Sequence, residues 1–211
     1  MRAPPRQTLP RRRLLLGAGA ALALPMVYTP GRAQAPRPPT PSQTEGPFYP
    51  LELPDDHDAD LLVQGPRRYA HGETAWLEGT LTDTLGRPLH GAVVEIWQCD
   101  HAGRYHHPRD GGRADPDFQG FGRMQVGVDG SYRFRTIKPM PYAGRTPHIH
   151  LKVKQGDREL LTTQIYVAGE PRNARDGLWR GLSPTEREAL TVPFTPAADG
   201  LRARMPLVVA V

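Results

Sequence analysis

The sequence from residue 124 to residue 136 has the composition of β-structure and reads Met124-Gln125-Val126-Gly127-Val128-Asp129-Gly130-Ser131-Tyr132-Arg133-Phe134-Arg135-Thr136. Apolar and polar residues alternate along it, and a strand directs successive side chains to opposite faces. The Asp129-Gly130 pair in the middle is a strong signal for a two-residue turn between paired strands. The stretch therefore predicts two strands, residues 124–128 and 131–136, that form a β-hairpin.

Further short runs with strand composition lie on both sides of this stretch. They cover residues 74–82, 92–97, 148–154, 160–167 and 207–211. Long helical periodicity is absent, and only residues 184–190 have the character of a short helical turn. Many short strands at this spacing favour an all-β fold, and we expect an antiparallel β-sandwich with long loops.

The first 35 residues have a different character. Arg11-Arg12-Arg13 precede an apolar run that extends to Leu24, and Ala33-Gln34-Ala35 has the small-x-small pattern of a cleavage site. These features predict a signal peptide over residues 1–35, and the paired arginines indicate the twin-arginine export route. The apolar run is short for a bilayer span. We therefore expect an exported protein, periplasmic or extracellular, without a permanent membrane anchor.

This leader also accounts for the basic charge of the whole sequence, which is +5. Six of the 27 basic residues lie in residues 1–35, which hold no acidic residue, so the remaining chain has 21 basic and 22 acidic residues. A net charge of about −1 gives no support for nucleic-acid binding. Cys99 is the only cysteine, so no disulfide can form within one chain.

Residues 36–54 contain seven prolines. Such a segment forms neither a helix nor a central strand. Phe48 and Tyr49 within it favour packing against the rest of the protein over free disorder. We expect an extended N-terminal arm over residues 36–72, followed by one β-sandwich domain over residues 73–211.

A pair of histidines begins one of the predicted strands. His148 and His150 are two residues apart and share one face of the strand, whereas Ile149 and Leu151 lie on the other. Two adjacent imidazoles can chelate one metal ion. Taken alone, however, the pair fits two polar residues on a solvated face better.

Two polar loops contain further candidate functional residues. The proline-rich loop from residue 139 to residue 147 contains Tyr142 and Arg145, and the loop that follows Trp97 contains Tyr105. Loops of this kind position functional groups at the mouth of a β scaffold.

These segments together resemble the intradiol ring-cleavage dioxygenases, and the protocatechuate 3,4-dioxygenase branch is the most similar. The resemblance rests on residues 97–105, 118–123 and 129–139, on Tyr142 and on residues 145–150, and residues 40–48 resemble the N-terminal arm of that branch. It implies an Fe(III)-dependent enzyme, with one non-haem iron per chain, that cleaves a catechol-type aromatic diol with O2. The product would be a cis,cis-muconate-type dicarboxylic acid, formed in aromatic compound catabolism, and residues 73–211 would be the catalytic domain.

The same resemblance implies the site residues. The iron ligands would be Tyr105, Tyr142, His148 and His150, and the catalytic residues would be Arg145, Tyr142 and Gln164. Two tyrosinates suit a hard ferric ion, whereas zinc more commonly takes His, Cys or carboxylate ligands. Tyr142 would be the ligand that the substrate displaces. Arg145 would stabilise negative charge that develops during the reaction.

Other functions and several details stay open. Only two residues separate Tyr142 from Arg145, fewer than in the protocatechuate enzymes, so we expect a more open mouth, and the physiological diol is undetermined. The expected partners are a small catechol-type molecule and O2, and a homo-oligomer is compatible with the sequence. One alternative is a secreted, non-catalytic transthyretin-like β-sandwich binding module. Another is a zinc hydrolase that uses His148 and His150.

Overall fold

The computed structural model describes residues 35–211, so the predicted signal peptide lies, apart from its last residue, outside the described residues. Within this part of the chain the strands are β1 (Val63–Gln64), β2 (Arg67–Arg68), β3 (Thr74–Asp83), β4 (Val93–Trp97), β5 (Phe121–Gln125), β6 (Ser131–Ile137), β7 (His148–Gln155), β8 (Arg158–Val167), β9 (Thr191–Val192), β10 (Thr195–Ala197), β11 (Gly200–Arg204) and β12 (Leu207–Val209). The helices are two 3-10 helices, Pro108–Asp110 and Pro171–Arg175, and two α-helices, α1 (Gly177–Gly181) and α2 (Pro184–Leu190). Over residues 35–211, none of these helices has the length and apolar character needed to cross a membrane.

Two five-stranded sheets form the body of the fold. In the first sheet, β6 pairs with one edge of β3, while β11 and β12 pair with its other edge and β10 pairs with β11. The second sheet has the order β5-β4-β7-β8-β9. The predicted all-β sandwich is confirmed. Not every pairing is antiparallel, because β11 and β12 run parallel to β3, and β9 runs parallel to β8.

The hairpin predicted at Asp129-Gly130 is wrong. β5 pairs with β4, whereas β6 pairs with β3 in the opposite sheet, and β5 ends at Gln125, three residues earlier than predicted. The turn itself is present, with a hydrogen bond of 2.9 Å from the Gly130 N–H to the Gly127 carbonyl and a φ of 81° at Gly130. It connects the two sheets. Alternation shows which side chains are buried, but it does not show which strand each one pairs with.

The core lies between the sheets and takes its side chains from the inward faces of both. Examples that are fully buried are Leu77, Leu81, Phe134, Val94, Ile96, Ile149, Leu151 and Val153. Burial of each such side chain contributes about 1.5–3 kcal/mol to the free energy of unfolding. Because Ile149, Leu151 and Val153 point into this core, His148 and His150 must lie on the outer face of the second sheet.

The proline-rich N-terminal segment packs across that outer face. Residues 35–62 contain no helix or strand, and residues 41–43 form hydrogen bonds with β8 of this sheet. The N–H of Gln43 donates to the carbonyl of Thr162 at 2.8 Å, and the hydroxyl of Thr163 donates to the carbonyl of Pro41 at 2.7 Å. This segment therefore turns the outer face of β7 and β8 into a buried layer.

Candidate metal centre

Two imidazole rings on the outer face of β7 point at one position. The Nε2 atoms of His148 and His150 lie 3.1 Å apart. The Nδ1 atom of His148 lies 2.6 Å from the carbonyl oxygen of Thr146. Because a carbonyl can only accept, this nitrogen carries the proton, and Nε2 keeps a free lone pair. The solvated-face interpretation of the pair is wrong, because the N-terminal segment covers both side chains and they are at most 1% exposed.

Burial keeps both imidazoles neutral. It lowers the pKa of His148 to about 4, with a further contribution from the positive charge of Arg145. It lowers the pKa of His150 well below its ordinary value, and His148 and Arg145 add to that shift. Neutral imidazoles have the lone pair that a metal ion requires.

Two tyrosines complete a group of four rings around this position. The ring centroids of Tyr105 and Tyr142 are 4.9 Å apart, those of Tyr142 and His148 are 5.4 Å apart, and those of Tyr105 and His150 are 6.1 Å apart. Among the described residues, the buried hydroxyl of Tyr105 has no hydrogen-bond partner, and neither has Nδ1 of His150. Burial raises the pKa of both phenols. A phenolate would form here only with a cation close by.

Tyr105 lies in the loop after β4, which polar side chains hold in place. The N–H of Tyr105 donates to Asp110 at 2.7 Å, and Asp100 accepts hydrogen bonds from three backbone N–H groups of this region. His107, 4% exposed, accepts from the N–H of Arg109 at the start of the 3-10 helix Pro108–Asp110. His107 therefore has a structural role in the loop.

Tyr142 and Arg145 are neighbours across a tight turn. The N–H of Arg145 donates to the carbonyl of Tyr142 at 2.7 Å, and the central residues Ala143 and Gly144 have φ values of 42° and 81°. Positive φ at both central positions is typical of a type I′ turn. The two outer residues form a bridge across it. The short interval seen in the sequence thus brings a phenol and a guanidinium to the same rim of the site.

Hydrogen bonds on two sides hold the guanidinium of Arg145. Its Nε donates to Oδ2 of Asp176 at 2.6 Å, and its Nη2 donates to Oε1 of Gln164 at 2.8 Å. The amide nitrogen of Gln164 donates to the carbonyl of Thr44, so Gln164 links Arg145 to the N-terminal segment. No motif of the sequence indicates Asp176 as part of the site. Its position before a short apolar run gives a helix-capping signal, which says nothing of a partner 31 residues earlier.

The structure thus brings together all five side chains that the motifs indicated at the metal site and its rim, and Gln164 lies behind them. A β-sandwich with two buried imidazoles on the outer face of one sheet, two phenols beside them and an anchored guanidinium defines the class of protein. The model of the family described as Dioxygenase matches residues 44–195. The chain belongs to the intradiol ring-cleavage dioxygenase family, as its motifs predicted.

Relatives with known names support this assignment. The chain is 32% identical over 181 residues to hydroxyquinol 1,2-dioxygenase of Corynebacterium glutamicum, over 74% of this chain and 56% of that protein. It is 38% identical over 135 residues to the protocatechuate 3,4-dioxygenase beta chain of Burkholderia cepacia, over 59% of this chain and 57% of that one. It therefore spans little more than half the length of these relatives.

Solved structures also match this chain, and one example is covered over almost its whole length. It is the dioxygenase domain of a dioxygenase carbohydrate-binding protein fusion from Streptomyces sp. SirexAA-E. The TM-score is 0.66 and the identity 33%, over 82% of this chain and 99% of that domain. The fold described above is thus similar to that of a dioxygenase domain.

Proposed function

We propose that the protein is an Fe(III)-dependent enzyme that uses O2 to cleave catechol-type diols between their two hydroxyls. The product is a cis,cis-muconate-type dicarboxylic acid. Family membership supports the reaction class. The observation that carries the proposal for this chain is the 3.1 Å approach of the His148 and His150 Nε2 atoms, beside the buried phenols of Tyr105 and Tyr142.

The donor set fits one ferric ion. The Nε2 lone pair of His148, the nearby Nε2 of His150 and the unpartnered Tyr105 hydroxyl are groups that a cation would satisfy. Tyr105, Tyr142, His148 and His150 would hold it, and two phenolates would offset two of its three positive charges. A zinc hydrolase has less support, because among residues 35–211 no three His, Cys, Asp or Glu side chains form a group that could hold a metal.

Bound iron would act as a Lewis acid and as a template that orients the diol. The chain supplies the proton and charge chemistry around it. Tyr142 lies at the rim and is half-buried, whereas Tyr105 is 2% exposed. Tyr142 would therefore be the phenol that gives way to an incoming diol, and its oxygen would take up a proton from the diol. The held guanidinium of Arg145 stabilises negative charge on the reacting ring.

The N-terminal segment covers one side of the site and would keep water from that side. Phe48 stacks on Tyr105 with ring centroids 4.6 Å apart and meets the edge of Tyr142 at 5.7 Å. On the other side, Trp97 stacks on His150 with 4.8 Å between centroids. Exclusion of water strengthens the electrostatic effect of Arg145 on the reaction.

Oxygen uptake by the purified protein with a panel of catechols tests this proposal. Iron content and visible absorption are recorded on the same sample, because tyrosinate bound to Fe(III) gives a charge-transfer colour. We expect one iron per chain, a coloured protein, and O2 consumption with formation of an open-chain diacid. A colourless, iron-free protein that consumes no O2 would favour the non-catalytic binding module instead.

We also propose that the protein is exported by the twin-arginine route. The support is the Arg12-Arg13 pair and the apolar run that follows it. Fractionation of cells that express the full chain tests this, with an Arg12→Lys, Arg13→Lys variant as the matched control. We expect the mature protein outside the cytoplasm for the native leader, and its retention in the cytoplasm for the variant.

A further inference from the structure

A pocket of about 320 Å³ opens beside the Tyr142–Arg145 turn. Its lining includes Tyr142 and Arg145 on one side and Arg172 and Arg175 on the other. Small-molecule sites begin at about this size, so the pocket can hold one aromatic ring together with a substituent. The two further arginines belong to no part of the reaction described above.

The 3-10 helix Pro171–Arg175 directs these arginines toward the pocket. In a 3-10 helix, side chains three residues apart lie above one another. Asn173 is buried and anchors the helix, since it donates to the carbonyl of Val167 at 2.9 Å and accepts from the hydroxyl of Thr146 at 2.7 Å. Arg172 and Arg175 share a different side of the helix and line the pocket. The helix therefore fixes their backbone relative to the loop that carries Arg145.

The arginines that line the pocket carry more positive charge than the nearby carboxylates balance. The buried carboxylate of Asp176 balances Arg145. Arg172 has only a long contact of 3.5 Å with Glu170, and its side chain is 60% exposed. Within the part of the chain that the structure describes, Arg175 forms no ion pair. The Cα atoms of two arginines three residues apart in a 3-10 helix are about 6 Å apart along the helix axis. At this spacing their guanidinium groups can share one carboxylate through charge-assisted hydrogen bonds.

We propose that Arg172 and Arg175 form an anion subsite that selects diols whose ring carries a carboxylate. This inference rests on the proposed function and names the substrate class of the same site. The two hydroxyls of such a substrate lie toward Tyr142, and the carboxylate on the far side of the ring faces the two arginines. A neutral diol of the same shape fills the pocket but leaves the arginines in water.

A matched pair of diols tests the subsite. The iron-loaded protein is assayed with 3,4-dihydroxybenzoate and 3,4-dihydroxybenzamide, which have nearly the same shape and differ in charge. Calorimetry without O2 measures the binding of both compounds in the absence of turnover. We expect kcat/KM and affinity to favour the carboxylate about tenfold, and we expect 0.5 M salt to reduce this preference, because exposed charges are screened.

Variants of the two arginines complete the test. Arg175→Gln and Arg172→Gln should each reduce the preference for the carboxylate several-fold, whereas Arg175→Lys, which keeps the charge, should retain most of it. Arg180→Gln, an exposed arginine of α1 outside the pocket, is the control and should keep the preference of the native protein. Thermal melting verifies that each variant is folded.

The outcomes separate the two proposals. If the native protein consumes O2 with neither diol, the proposed function fails. If it consumes O2 with both but shows no preference for the carboxylate, or if the variants lose activity equally with both, only the anion subsite is overturned.

Discussion

The side chains of Arg145 and Asp176 are joined by a hydrogen bond of 2.6 Å between Nε and Oδ2, and the Asp176 side chain is fully buried. The same carboxylate oxygen accepts the N–H of Thr146 at 3.0 Å, while Oδ1 accepts the N–H groups of Leu178 and Trp179 at the start of α1. One carboxylate therefore sets the direction of the guanidinium and begins a helix. Asp176 is a positioning residue, since it acts on the reaction through Arg145.

Asp176→Asn should lower kcat by roughly tenfold to a hundredfold, with a smaller change in KM, because a misdirected guanidinium loses interactions with developing charge. Iron content and the visible spectrum should not change. Steady-state O2 uptake measures the rates, with Asp199→Asn as control, since Asp199 pairs with Arg202 at the surface. An unaltered kcat in the Asp176 variant would show that the ion pair does not position Arg145.

The stability difference between the native protein and Asp176→Asn should depend on pH. Burial alone would raise the pKa of Asp176, but hydrogen bonds from Arg145 and from backbone N–H groups outweigh it and lower the pKa. A carboxylate with a lowered folded-state pKa stabilises fully above its unfolded pKa of about 3.9, and this contribution is lost as pH falls through the folded value.

Urea unfolding at pH 6 and at pH 3 measures this difference. We expect the native protein to exceed the variant in stability at pH 6 and the gap to narrow at pH 3. A gap that stays constant or widens toward acid pH would contradict the lowered pKa.

Tyr142→Phe and His148→Ala should have different effects on the metal site, because one removes a phenol ligand and the other an imidazole ligand. Loss of the rim phenol should shift the charge-transfer band and reduce turnover strongly, while loss of an imidazole should reduce bound iron well below one per chain. Iron analysis and visible spectra measure both effects. Tyr69→Phe is the control, because the Tyr69 hydroxyl accepts the N–H of His101, away from the four rings. Full iron content and activity in both site variants would refute the ligand assignment.

Substitutions in the turn between Tyr142 and Arg145 should change the free energy of unfolding. Ala143 has a φ of 42°, and among the described residues it is the only non-glycine with positive φ. Ala143→Gly should therefore raise the free energy of unfolding by up to about 1 kcal/mol. Gly144→Ala should lower it by about 1 kcal/mol through the backbone alone, since an added Cβ meets no atom within 4 Å. Chemical denaturation measures both, and effects of the opposite sign would contradict the type I′ geometry.

Local patterns in the sequence predict strands well and their partners poorly. β7 was predicted to within one residue because its alternation is a local property, whereas β5 and β6 were joined as a hairpin although they belong to different sheets. β11, Gly200–Arg204, was not predicted at all. Its sequence has three polar or glycine positions in five, and its strand conformation comes from pairing with β3, distant in sequence.

The same limit applies to the site. Motifs indicated Tyr105, Tyr142, His148 and His150, because the spacing of these residues is visible in the sequence. The burial of the two imidazoles could not be predicted from β7 alone, since the residues that cover them lie about a hundred positions earlier, as the pairing of Glu45 with Lys152 shows. Asp176 could not be predicted as a site residue, because an aspartate before a short helix looks the same in the sequence whether or not it also binds a distant arginine.

The parallel pairing of β11 and β12 with β3 has a consequence for synthesis of the chain. Glu78 and Arg204, which form an ion pair across this edge, are 126 positions apart. A ribosome must therefore release the residues up to β12 before β3 gains its final neighbours, and until then one row of its backbone N–H and C=O groups is open to other chains. Premature termination before residue 200 would make that exposure permanent, and the shortened product should aggregate.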